Sequence, residues 1–325
     1  MSKRKIIFDT DPGIDDAYAI IAAMKYEAFD VLGLCTVAGN KGLEFTTTNA
    51  LKLIKLMNYN CKVYKGAATS LLPLARDAKD THGTDGLGGI TLGYDLNKLS
   101  DIHAVDFILE TVKANPGEIE IIAIGPVTNI ALAIQKDIDT MKKVKAIYTM
   151  GGGIYKGNVT PYAEFNYWYD ALSTEIMFSL GTDVPIHMIG LDITHASKFT
   201  GNDVTFLKLA GGQLGEVMFD MIQPYLKSYW NFNRYVGGVV HDLLAVIYAI
   251  DPSVCPEKGI HHVNLRVPLE GAKIGATITD LNEKIQMDKN AFVPMEVDAR
   301  KYKEKFMEIV FGEEVLDLYQ KYCQD

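Results

Sequence analysis

Short apolar runs alternate with helix-period segments along most of this chain, and that alternation restricts its fold more than any other feature. Residues 6–8 are a short continuous apolar run, followed by alanine-rich helical periodicity over 15–26. A strand pattern over 31–37 leads to a helix pattern over 45–57, and a strand pattern recurs at 62–64. The rhythm resumes with a helix over 104–114, a strand over 119–124 and a helix over 127–134, then strands at 146–150 and 186–189. Strands without polar alternation are covered on both faces, and strand–helix–strand succession gives parallel pairing through right-handed crossovers. The expected fold is therefore α/β: a Rossmann-like, mostly parallel central sheet flanked by helices. Between 263 and 297 short β-like runs crowd together, at 272–279 and 291–297, and predict a small antiparallel patch near the C-terminus. A final amphipathic helix is expected over 299–322. No repeat, low-complexity tract or Pro/Ser linker divides the 325 residues, so a single domain over 1–325 is expected.

Residues 69–100 break the rhythm with a stretch rich in Gly, Asp, Leu and Pro, and a loop of that length usually carries function. The formal net charge of −9 opposes nucleic-acid binding, which needs a basic face, and suits a site that concentrates a divalent cation. Cys35, Cys61, Cys255 and Cys323 form no CxxC pair, which argues against a zinc ribbon or a disulfide framework. The basic start is followed by only three apolar residues before Asp9, too few for a signal peptide, and no apolar stretch would span a bilayer. A cytoplasmic protein that binds neither membrane nor nucleic acid is expected.

The sharpest local signal is Asp9-Thr10-Asp11-Pro12-Gly13-Ile14-Asp15-Asp16, four carboxylates in eight positions where the first strand turns into the first helix. Ligands of open α/β sheets bind at that edge. Carboxylates so close repel one another, and a hard cation with six to eight oxygen ligands relieves the repulsion. Helix capping or loop hydrogen bonds account for one or two of the four, not for all. An EF-hand loop starting at Asp9 would need Gly and Glu where Ile14 and Ile20 stand. An aspartyl phosphotransfer site would need later Lys and Asp partners, and no cluster of Lys or Arg stands near the aspartates to grip phosphate.

The opening segment DTDPGIDDA resembles the N-terminal signature of the inosine–uridine-preferring nucleoside hydrolase family. The resemblance continues through Gly39-Asn40, His82-Gly83-Thr84-Asp85-Gly86-Leu87-Gly88, Gly125-Pro126-Val127-Thr128-Asn129 and Met150-Gly151-Gly152. It extends to Gly157-Asn158-Val159-Thr160-Pro161, Ala163-Glu164-Phe165-Asn166, Gly190-Leu191-Asp192-Ile193-Thr194 and His241-Asp242. It departs after Asp170, where Ala-Leu-Ser-Thr-Glu replaces the usual run.

The resemblance implies hydrolysis of the N-glycosidic bond of ribonucleosides to free base and ribose, with Ca²⁺ as cofactor and a homodimer or homotetramer as the assembly. It implies a cation held by Asp11, Asp16, Asp242 and the backbone carbonyl of Ile124. Asp11 would be the general base and His241 the proton donor to the leaving base. Asp15, Asn158, Glu164 and Asn166 would hold ribose hydroxyls with Asn40 close to the sugar, Phe165 would join the substrate site, and His82 would line the base pocket. Carboxylates near the sugar suit the positive charge that develops when a glycosidic bond breaks, and a His suits protonation of the base near neutral pH. His241 points to a broad or pyrimidine-tolerant enzyme. The aromatic cluster Tyr225, Tyr229, Trp230, Phe232 and Tyr235 reads either as helix packing or as a source of a ring that stacks on the base. His103, His187, His195, His261 and His262 read as structure or surface. Two other classes stay open: a metal-dependent riboside-binding protein without catalysis, and a metal-dependent phosphatase of another α/β family.

Overall fold

The computed structural model describes residues 2–72, 85–282, 284 and 286–323. Seven strands carry the architecture: β1 (Arg4–Thr10), β2 (Phe29–Thr36), β3 (Lys62–Lys65), β4 (Leu99–Ser100), β5 (Ile119–Ala123), β6 (Ala146–Met150) and β7 (Ile186–Ile189). They pair in parallel in the order β7-β6-β5-β1-β2-β3-β4. Strand β1 pairs with β2 on one side and β5 on the other, so the winding direction reverses there. Crevices at such switch points open at the carboxyl ends of the strands.

Helices cover both faces, as the buried strand pattern requires. Along β1, Ile6 and Phe8 pack into a cluster with the helix Ile14–Lys25, while Ile7 points into the other cluster with Val105 and Ile130. That alternation is the two-residue period of a strand buried on both sides. Ile14 to Ala23 are all buried, so this first helix is sealed on every side. It packs against the helix His241–Ile250, itself buried from His241 to Ala249.

The C-terminal region refines the expectation. Ile260–Val263 pairs antiparallel with Ala291–Pro294, and the latter touches β7 in parallel at Phe292 and His187, so this patch extends the main sheet. A separate ladder joins Leu265–Arg266 to Ile278–Thr279. Most of 272–279 is therefore not strand. The closing helix is two helices, Ala299–Phe311 and Glu313–Tyr322, broken where Gly312 takes φ +91°. Positive φ suits Gly and ends a helix there. The helix Gly201–Ala210 and the first half of the helix Gly212–Asn233 were not anticipated from the sequence pattern, whereas the aromatic cluster from Tyr225 onward had a helix reading. All four cysteines are buried free thiols. Among the described residues, no helix is long and apolar enough to cross a membrane.

Candidate active site

The switch point places the acidic segment at the carboxyl end of β1, beside the end of β5. Ile124 N–H donates to the carbonyl of Asp9, which locks the two strand ends together. Asp11 sits between two glycines. A Cβ at Gly39 would lie 2.1 Å from Asp11 Oδ2, and one at Gly125 would lie 2.5 Å from Asp11 Oδ1. Both positions must be Gly for the carboxylate to occupy this slot, because any side chain would overlap it.

Asn40 then ties the aspartates together. Its backbone N–H donates to Asp11 Oδ2 at 2.6 Å, and its Nδ2 donates to Asp16 Oδ2 at 3.1 Å. Asp16 also accepts from the Thr10 hydroxyl at 2.6 Å and from the Gly13 N–H at 2.9 Å. The last bond gives Asp16 the capping role anticipated for one aspartate. Asp11 Oδ1, although buried, has no hydrogen-bond partner among the described residues.

Asp15 and Asp16 lie in the first turn of the helix Ile14–Lys25, and Asp242 in the first turn of the helix His241–Ile250. The two helices are packed together, so both positive dipole ends face this region. One oxygen each of Asp15, Asp16 and Asp242 lie within 4.8 Å of one another. Burial pushes Asp11 and Asp242 well above the usual carboxylate range, with the charges of Asp16 and Asp15 respectively adding to it. Burial also lifts Asp15 to about 6. Water cannot solvate these charges, so protons or a cation must neutralise them. An all-oxygen donor set with a bare buried carboxylate oxygen suits a hard cation of the Ca²⁺ or Mg²⁺ type.

A cavity of about 410 Å³ opens onto this cluster. Asp15, Asp242, Asn40 and Ile124 line it on the strand-end side of the sequence motifs. The segment 158–168 contributes Asn158, Glu164, Phe165, Asn166 and Trp168. Glu164 caps the helix Phe165–Tyr169 by accepting from the N–H groups of Asn166 and Tyr167, and it also accepts from Gly152 N–H at 2.9 Å. Burial raises Glu164 to about 7. Asn166 Nδ2 donates to the carbonyls of Ile124 and Met150, at 3.1 Å each. Asn158 Oδ1 accepts from Phe165 N–H at 3.0 Å, which pins the loop to the helix.

The helix Gly212–Asn233 supplies Tyr225, Tyr229 and Asn233, spaced four apart on one face. His241 also lines the cavity, with Nε2 3.1 Å from the Tyr229 hydroxyl and Nδ1 2.8 Å from Thr194 Oγ1.

The structure brings Asp15, Asn40, Ile124, Asn158, Glu164, Phe165, Asn166, His241 and Asp242 together around one cavity. Asp15, expected on the ribose, stands in the carboxylate triad. Asp11, expected among the cation ligands, accepts from the Asn40 N–H, and Asn40 Nδ2 in turn reaches Asp16 of the triad. His82 lies outside the described residues. The aromatic cluster divides by residue: Tyr225 and Tyr229 line the cavity, whereas Trp230 and Phe232 are 48% and 84% exposed. The i, i+4 spacing of 225, 229 and 233 is the signal that could have separated them. Thr194 was quoted only as part of a motif, and Trp168 and Asn233 were not singled out. His195, read as structure or surface, has its ring 5.4 Å from that of His241.

The chain is similar to known proteins in sequence and in fold. The model of the inosine-uridine preferring nucleoside hydrolases matches residues 6–304. The pyrimidine-specific ribonucleoside hydrolase RihB of Escherichia coli is 37% identical over 252 residues, which span 78% of this chain and 80% of that protein. A plant nucleoside hydrolase, the PpNRh1 enzyme, matches with a TM-score of 0.89 and 32% identity, covering 95% of this chain and 99% of that one. A purine-preferring ribonucleoside hydrolase from Gardnerella vaginalis matches with a TM-score of 0.88 and 30% identity, covering 97% and 100%. The chain belongs to the inosine-uridine preferring nucleoside hydrolase family and is an N-glycosyl hydrolase.

Proposed function

We propose that this enzyme is a Ca²⁺-dependent ribonucleosidase that accepts pyrimidine nucleosides and releases free base and ribose. The observation that carries the reading is the buried, oxygen-only cluster of Asp15, Asp16 and Asp242 at the cavity, with Asp11 tied to it through Asn40 and its Oδ1 without a hydrogen-bond partner among the described residues. Asp11, Asp16, Asp242 and the Ile124 carbonyl would hold the cation. When bound, the cation supplies coordination for the ribose hydroxyls and makes the attacking water more acidic.

The chain's own residues perform the rest. Asp11 takes the proton of the attacking water, and its slot between Gly39 and Gly125 with the Asn40 N–H on Oδ2 fixes the carboxylate for that task. Asp15, Asn40, Asn158, Glu164 and Asn166 hold the sugar hydroxyls, and their carboxylates stabilise positive charge on the ring as the bond breaks. Phe165 and Trp168 add apolar surface to the cavity beside these groups. His241 gives a proton to the departing base, with His82 as a second residue on the base. Similarity to the pyrimidine-specific hydrolase of E. coli supports pyrimidine nucleosides as substrates.

Asp11→Ala tests the assignment. It is expected to lower kcat on uridine by roughly 10²–10⁴, the contribution of a general base. A variant that stays folded and turns over uridine at the parent rate would refute the role of Asp11.

A further inference from the structure

The turn that follows β7 contributes to the site without touching the cavity. Its short helix Leu191–Thr194 ends on Thr194, which is fully buried. The Thr194 hydroxyl oxygen lies 2.8 Å from Nδ1 of His241, while the other ring nitrogen, Nε2, lies 3.1 Å from the hydroxyl of Tyr229, a cavity residue. His241 is only 8% exposed. Its two nitrogens therefore meet two different hydroxyls, one outside the cavity and one on its wall.

We propose that Thr194 is a positioning residue for the leaving-group proton: its hydroxyl accepts the Nδ1–H of His241, so that the ring gives up its proton from Nε2. The inference rests on the assignment of His241 as proton donor. As the C–N bond breaks, the base leaves with the bonding electron pair and takes the proton from the Nε2 side, and the imidazolium becomes a neutral imidazole that keeps its Nδ1 proton. A partner on one imidazole nitrogen selects which nitrogen exchanges protons and fixes the plane of the ring. Without an acceptor at Nδ1, a buried N–H is left unsatisfied, and the ring is driven toward the other tautomer or another orientation.

The test uses two substrates on the full-length enzyme with Ca²⁺. Uridine leaves poorly and needs a proton. 4-Nitrophenyl β-D-ribofuranoside leaves as a stabilised anion and does not. His241→Ala is run first. A loss confined to uridine supports His241 as the donor, and an equal loss on both overturns that assignment itself. Thr194→Val keeps the shape of the side chain and removes the acceptor. The expected result is a fall in kcat on uridine of roughly tenfold or more, with KM little changed, no fall on the nitrophenyl riboside, and recovery in Thr194→Ser. If Thr194→Val loses both substrates by the same factor, or neither, while His241→Ala remains selective for uridine, the positioning role is wrong.

Discussion

Asp9 shows what this fold sacrifices in stability to bury acid beneath the site. It lies on β1 and is 1% exposed, with Oδ1 accepting from Asn129 Nδ2 at 2.7 Å and Oδ2 lacking any hydrogen bond among the described residues. Burial pushes its carboxyl from the ordinary 3.8 up to about 7, against the opposing effect of the Asn129 bond. At 1.36 kcal/mol for each pKa unit, ionising Asp9 in the fold rather than in the open chain costs about 4 kcal/mol at most. The sign follows from linkage. The folded state holds this proton more tightly than the unfolded one, so the contribution to stability is complete below pH 3.8, is lost as pH rises toward 7, and stays lost above that. Asp9→Asn keeps an acceptor for Asn129 and cannot ionise. Urea unfolding with chelator, for parent and variant at pH 5 and pH 8, should show a smaller loss between the two pH values in the variant. The expected difference is on the order of 2–3 kcal/mol, since part of the cost is already incurred at pH 5. Equal losses in the two proteins would refute the claim that Asp9 is held neutral by burial.

Three further perturbations follow from the same geometry. Gly39→Ala places a Cβ against Asp11 Oδ2 and should displace the proposed general base, lowering kcat by about 10²-fold or more while leaving the circular dichroism spectrum unchanged. Saturating Ca²⁺ should raise the unfolding free energy by about 3 kcal/mol at a hundredfold excess over Kd. Asp16→Asn should abolish most of that gain in a thermal-shift titration, because Asp16 is one of the three clustered carboxylates. Lys303→Met breaks a buried ion pair, 3.2 Å from Asp203, that ties the helix Ala299–Phe311 to the helix Gly201–Ala210. It should cost about 3–5 kcal/mol in urea unfolding, with KM for uridine unaltered.

The parallel core and the acidic site were legible for the same reason. Both are local in sequence: buried strands appear as short apolar runs, and four aspartates fall within one strand-to-helix turn. Asp242 and His241 were reached only through a family motif, since nothing in the periodicity brings residues 241–242 to the end of β1. The packing of two buried helices does that. Thr194 was missed because its role depends on a contact across 47 residues, and a lone threonine in a turn has no sequence signature. Tyr225 and Tyr229 were seen but not separated from exposed Trp230 and Phe232, which lie on another face of the same helix. The single closing helix over 299–322 was an overextension: the amphipathic pattern runs through Gly312, and only the backbone conformation there reveals the break.

The most direct test of the account is the release of free base and ribose from uridine, cytidine, inosine and adenosine, and from the matching 5′-nucleotides, with Ca²⁺ and again after a strong chelator. The expected result is cleavage of nucleosides with uridine among them, no cleavage of nucleotides, loss of activity on chelation and its return with Ca²⁺. Turnover of uridine that is unchanged after the cation has been stripped would mean that the buried carboxylate cluster does not work through a bound calcium ion.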